Sequence, residues 1–144
     1  MKIIRTGLGA GLLAACFALW AQEGTRSAWD GVFTAEQAAR GSNEYQQRCA
    51  SCHGTSLTGG ESAPPLAGGE FSSNWNGLTA GDLFERIRTT MPADRAGSLN
   101  RTQNADIISY ILSMNQYPAG ANELPSRAEI LKTIRLEPKP DSKK

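Results

Sequence analysis

Apolar and small residues recur at helical spacing in three stretches of the chain, and no stretch alternates as a half-buried strand would. The first is Ala38, Gly41 and Tyr45, one face of a helix running from Thr34 towards Arg48. Thr34-Ala35-Glu36-Gln37 opens it as a capping box, in which the Thr hydroxyl and the Gln amide satisfy opposite backbone donors. The second is Leu83, Phe84 and Ile87, on a helix from about Thr79 to Thr90. Pro92 stops it, because the residue before a proline is pushed out of helical geometry. The third is Ile107, Ile108, Ile111 and Leu112, on a helix opened by Asn100-Arg101-Thr102-Gln103 and ended before Pro118. A further short helix is expected within 126–136, capped by Ser126 and Glu129. Between the first two helices, 53–77 is rich in Gly, Ser, Pro and Asn and reads as one long loop. Loops of that length in a compact domain are usually functional. The pattern predicts an all-α fold.

The ends read differently. Leu8 to Trp20 is an apolar run behind Lys2 and Arg5, too short to span a membrane and suited to a secretory signal peptide cleaved after Ala21. Two competing readings stay open. Leu13-Ala14-Ala15-Cys16 matches a lipoprotein cleavage box that would leave Cys16 acylated, and the run could also remain as an uncleaved anchor. The chain then divides into an export segment at 1–21, a polar lead-in with scattered aromatics at 22–33, a central domain at 34–117 and a C-terminal extension at 118–144. The charged, proline-bearing stretch from Leu136 to Lys144 is expected to be disordered.

Composition narrows the function class. Aromatic residues make up only 7% of the 144 residues and glycines number 15, so the core is thin and has room for another source of apolar bulk. Net charge is +1, with no basic stripe, which argues against nucleic acid as a partner. Loss of residues 1–21 removes Lys2 and Arg5 and no acid, leaving 13 basic against 14 acidic side chains. Residues 22–81 carry three basic and six acidic side chains and residues 82–144 ten and eight, a mild asymmetry that could orient a partner.

Cys49-Ala50-Ser51-Cys52-His53 is the motif that carries chemistry. Two thiols three positions apart can add to the two vinyl groups of one haem, and the adjacent histidine is then held beneath the iron. His53 is the only histidine. A structural zinc needs four ligands and this cluster offers three. A thioredoxin-like pair needs a βαβ context that the pattern lacks. A plain disulfide is the remaining alternative.

Beyond the export segment the candidates for a second axial ligand are Met91 and Met114, with no methionine ligand as the remaining alternative. Pro92 makes Met91 extended and frees its side chain from a helix face, whereas Met114 continues a helix where methionine usually fills core. Met91 is the candidate ligand of the iron. A His/Met pair fills both axial positions and raises the reduction potential, which favours electron transfer over chemistry at the metal. The alternative is a haem-based sensor or catalytic module with a displaceable sixth ligand.

From Thr34 to Tyr117 the sequence resembles the class I cytochromes c. The residues that carry the resemblance are Gly41-x-x-x-Tyr45-x-x-x-Cys49, the motif followed by Gly54, Pro64-Pro65-Leu66, Thr90-Met91-Pro92 and Tyr110. The resemblance implies three to five short helices around one covalently bound haem c, with Gly41 letting the first and last core helices cross and Tyr45 meeting Tyr110. It implies that the Pro64 carbonyl accepts a hydrogen bond from the iron-bound imidazole, and that Trp75 donates to a haem propionate. A looser resemblance, over Trp75 to Leu78 and Asp82 to Arg88, is to small cytochromes associated with quinoprotein dehydrogenases. It implies a periplasmic electron carrier, no enzyme by itself, standing between a dehydrogenase donor and a respiratory acceptor.

Overall fold

The computed structural model describes residues 25–140. The export segment and Cys16 lie outside the described residues, as do residues 141–144. Among the described residues there are six α-helices, α1 (Ala35–Arg48), α2 (Ala50–His53), α3 (Gly69–Trp75), α4 (Ala80–Thr90), α5 (Arg101–Met114) and α6 (Ala128–Leu131), and one 3-10 helix, Ala28–Asp30. The all-α expectation holds. The one pair of strands is two residues each, β1 (Arg26–Ser27) and β2 (Ile134–Arg135), joined in parallel with Arg26 opposite Ile134.

Local chemistry explains the helix starts. Thr79 and Asp82 cap α4 reciprocally, and Asn100 and Gln103 do the same for α5. At α1 only half of the expected box forms. The Thr34 hydroxyl accepts from Gln37 N–H at 3.1 Å, but the Gln37 side chain turns inward. Its amide donates to Leu124 O at 3.0 Å and its carbonyl accepts from Leu124 N–H at 2.6 Å. A buried amide needs both partners, and this long-range pair outcompetes the local cap.

The α1–α5 crossing is the frame of the molecule. Gly41 lies against the Asp106 backbone so closely that a Cβ there would run into the Asp106 carbonyl. One turn on, Tyr45 and Tyr110 meet with ring centroids 5.3 Å apart. Arg40 holds the Asp106 carboxylate with two bonds of 3.1 Å. Helix α4 joins through Asn104, whose amide donates to Phe84 O at 2.9 Å. Phe33, Tyr45, Phe84, Ile108, Leu112 and Leu131 are among the buried side chains of the single core.

The structure departs from the pattern reading in four places. Helix α3 lies inside the stretch read as loop, pinned by the buried Phe71. Helix α6 is capped by Arg127 and has no side-chain cap, so Ser126 and Glu129 do not play the expected part. Val32 and Phe33, in the lead-in, are buried. Leu136, assigned to the solvated tail, is 1% exposed and exchanges backbone bonds with Gly77 and Leu78. The physical reason is shared: these segments bury isolated apolar residues with no period, and Trp29 and Tyr117 both donate to Glu137 O to fasten the end (2.9 and 3.0 Å).

Candidate haem site

Helix α1 stops at Arg48 because Cys49 leaves helical geometry, at φ −123° and ψ −34°. The chain restarts at once as α2. Cys49 N–H donates to Tyr45 O at 2.9 Å, and His53 N–H donates to Cys49 O at 2.9 Å. The second bond is one helical turn, so Cys49 and His53 stand on one side of it, with Cys52 beside them. Both cysteines are free thiols; Cys52 is exposed and Cys49 partly buried. Burial pushes the Cys49 thiol up to about 11. A thiolate nucleophile depends on a lowered thiol pKa, so Cys49 is poorly suited to that part.

His53 is 8% exposed, and its Nδ1 lies 2.8 Å from Pro64 O. That contact fixes Nδ1–H as the protonated side, since a carbonyl only accepts. Nε2 makes no hydrogen bond to protein among the described residues, which leaves it as the ring's donor lone pair. The loop that delivers Pro64 folds back on the histidine. Gly59 N–H donates to His53 O at 2.8 Å, and Leu66 N–H donates to Leu57 O at 2.8 Å. Gly59 has φ +76°, and a Cβ there would approach Pro65 N to 2.7 Å, so glycine is what lets the loop close.

Met91 follows α4 in extended geometry, at φ −123° and ψ 155°, and packs partly buried against the core cluster. Cys49, Leu66 and Trp75 pack partly buried against the same cluster. Met114, the other methionine, is 40% exposed. Trp75 stacks on Phe71 at 6.1 Å and lines a cavity of about 230 Å³ with Phe71, Tyr117 and Pro138, to which neither His53 nor Met91 contributes. Its indole N–H has no protein partner among the described residues. The structure thus joins His53 and Pro64 directly and sets Cys49, Met91 and Trp75 on one core.

These residues fit a haem. Two thiols and an imidazole share one turn, Nε2 is free of protein bonds, and the apolar surfaces of Cys49, Leu66 and Met91 are left partly uncovered. Among the described residues no cluster of three or more His, Cys, Asp or Glu is arranged to hold a metal ion directly.

Two contacts at the site had no signal in the sequence. The Tyr45 hydroxyl donates to Gly54 O at 2.7 Å, tying the turn after His53 to α1. Asn115, just past α5, holds the Pro64 loop: its amide donates to Leu66 O at 2.9 Å and its oxygen accepts from Gly68 N–H at 3.0 Å.

A family model described as cytochrome c oxidase, cbb3-type, subunit III matches residues 36–111, more than half of the chain. The chain belongs to this family. It is a c-type cytochrome, and membership implies haem c, iron and an electron-transfer role. A curated relative, the cbb3-type cytochrome c oxidase subunit CcoP of Azospirillum brasilense, is 32% identical over 94 residues, which cover 54% of this cytochrome and 31% of the relative. The cytochrome therefore matches about a third of that protein's length. The sulfane dehydrogenase SoxCD from Paracoccus pantotrophus is similar in structure, with a TM-score of 0.50 and 21% identity over 92% of this chain and 68% of that one. The second likeness is one of fold. No helix among the described residues is long and apolar enough to cross a membrane.

Proposed function

We propose that this cytochrome is an exported, periplasmic carrier of single electrons, with one haem attached by thioethers to Cys49 and Cys52 and with His53 and Met91 on the iron. The observation that carries the reading is the single turn holding both thiols and the imidazole, with Nδ1 engaged by Pro64 O and Nε2 left free.

Bound haem supplies a reversible ferric–ferrous couple. The chain's residues do the rest. Cys49 and Cys52 tether, so the cofactor stays with a protein outside the cell. His53 ligates through Nε2, and its Nδ1–H bond to Pro64 fixes the ring and strengthens the donor. Met91 would be the second protein ligand of the iron and would keep small molecules from it. Trp75 offers an indole N–H for a propionate. A His53/Met91 pair would leave no position on the iron for a substrate, which favours a carrier over an enzyme.

Partners are redox proteins. The relatives are named as an oxidase subunit and a dehydrogenase, and the likeness of Trp75 to Arg88 to quinoprotein-associated cytochromes supports a dehydrogenase donor and a respiratory acceptor.

Mass spectrometry of the exported protein tests the attachment. The intact chain should carry one covalent haem mass, lost in the Cys49→Ala, Cys52→Ala double variant. An intact mass without haem, or two cysteines joined to each other, would contradict the reading.

A further inference from the structure

The geometry points to Asn115 as a positioning residue that sets the strength of the His53–Pro64 bond and, through it, the reduction potential; this deepens the haem reading and rests on it. The argument begins with the two prolines. Pro64 and Pro65 have no N–H, so the segment that presents the carbonyl to His53 cannot anchor itself through its own amides. Its fastening comes from the residues on either side, and before the prolines Gly60 N–H donates to Ala63 O at 2.9 Å.

Three polar bonds do this on the far side of the loop. Leu66 N–H donates to Leu57 O at 2.8 Å. The other two both go to Asn115: its amide donates to Leu66 O at 2.9 Å, and its oxygen accepts from Gly68 N–H at 3.0 Å. The second amide proton reaches Ile111 O at 2.8 Å, which locks the side chain to the end of α5. One partly buried side chain thus supplies two of the three anchors that follow the prolines.

The other half of the bond is referenced to the same helix. His53 sits on the turn continuous with α1, and α1 is set against α5 at Gly41 and Tyr45. Helix α5 therefore fixes imidazole and carbonyl at once, one through the α1 crossing and the other through Asn115. If the loop loosens, the carbonyl recedes, the imidazole becomes a weaker donor, and the ferric state loses support relative to the ferrous. The potential then rises.

The test compares Asn115→Ala with Met114→Ala, the exposed neighbour, in the haem-loaded protein. Asn115→Ala should raise the midpoint potential and speed solvent exchange of the His53 Nδ1 proton by roughly tenfold, the factor for losing one ordinary hydrogen bond. Met114→Ala should move neither. Asn115→Asp, which keeps the acceptor for Gly68 and loses the donor to Leu66, should fall between. An unchanged potential and unchanged proton exchange in Asn115→Ala would overturn the proposal. So would failure of both Asn115 variants to hold haem, since the residue would then serve the fold and not the ring. A wild-type protein without covalent haem would instead overturn the underlying haem reading.

Discussion

At the residue scale, the molecule turns on a few positions where a side chain has no alternative. Gly41 is one. Alanine favours a helix over glycine by about 1 kcal/mol, so Gly41→Ala should stabilise α1 if nothing faced it. The Asp106 carbonyl does face it, and the added methyl would have to push α5 away. Overpacking of this kind costs about 1–3 kcal/mol, which outweighs the helix gain. Gly41→Ala should therefore lower the guanidinium midpoint, while an unchanged or raised midpoint would show that the crossing is looser than described. The candidate site was legible at this scale because the attachment proposed for it would demand two cysteines and a histidine close together in sequence. Asn115 was not, since its partners Leu66 and Gly68 are nearly fifty residues away and an asparagine after a helix is also ordinary end chemistry.

At the element scale, periodicity identified α1, α4 and α5 with starts at Thr34, Thr79 and Asn100. It failed where burial rests on single residues. Helix α3 has the composition of a loop and is held by Phe71 alone among its buried residues. Gln37 shows the same limit in reverse: its position matched a local cap, but a long-range partner won. The Gln37–Leu124 pair fastens the segment after Pro118 to the start of α1, alongside the bond from Gly120 N–H to Phe33 O at 2.6 Å. Gln37→Leu would leave both backbone groups of Leu124 unpaired at a cost of about 1–3 kcal/mol. Hydrogen exchange at the Leu124 amide should quicken, with the haem spectrum unchanged. A protected Leu124 amide in that variant would mean that other contacts hold the segment.

At the scale of the whole molecule, two buried phenols give the fold a pH dependence. Tyr45 and Tyr117 are both shifted upward from their ordinary value of 10.0, chiefly by burial. In the folded state they keep their protons as pH passes 10; in the unfolded state they release them. The unfolded state then binds fewer protons, so stability falls as pH rises. The tyrosine contribution is fully present below pH 10 and is lost progressively above it. Denaturation midpoints measured from pH 8 to 11 should be level at first and then decline. Tyr117→Phe should flatten part of the decline while costing the bond to Glu137 O. A decline equally steep in Tyr45→Phe and Tyr117→Phe as in the parent would locate it elsewhere.

The central claim is that His53 and Met91 hold the iron of one haem c in a closed, electron-carrying site. The most direct measurement is a visible spectrum of the oxidised and reduced protein, taken for the parent, Met91→Ala and Met114→Ala, with carbon monoxide added to each reduced form. The account predicts a sharp reduced α-band in the parent and in Met114→Ala. It also predicts a weak sulfur-to-ferric-iron band at the red end of the oxidised spectrum that disappears only in Met91→Ala, and carbon monoxide binding only in Met91→Ala. Carbon monoxide binding by the parent, or the weak band surviving in Met91→Ala, would contradict it.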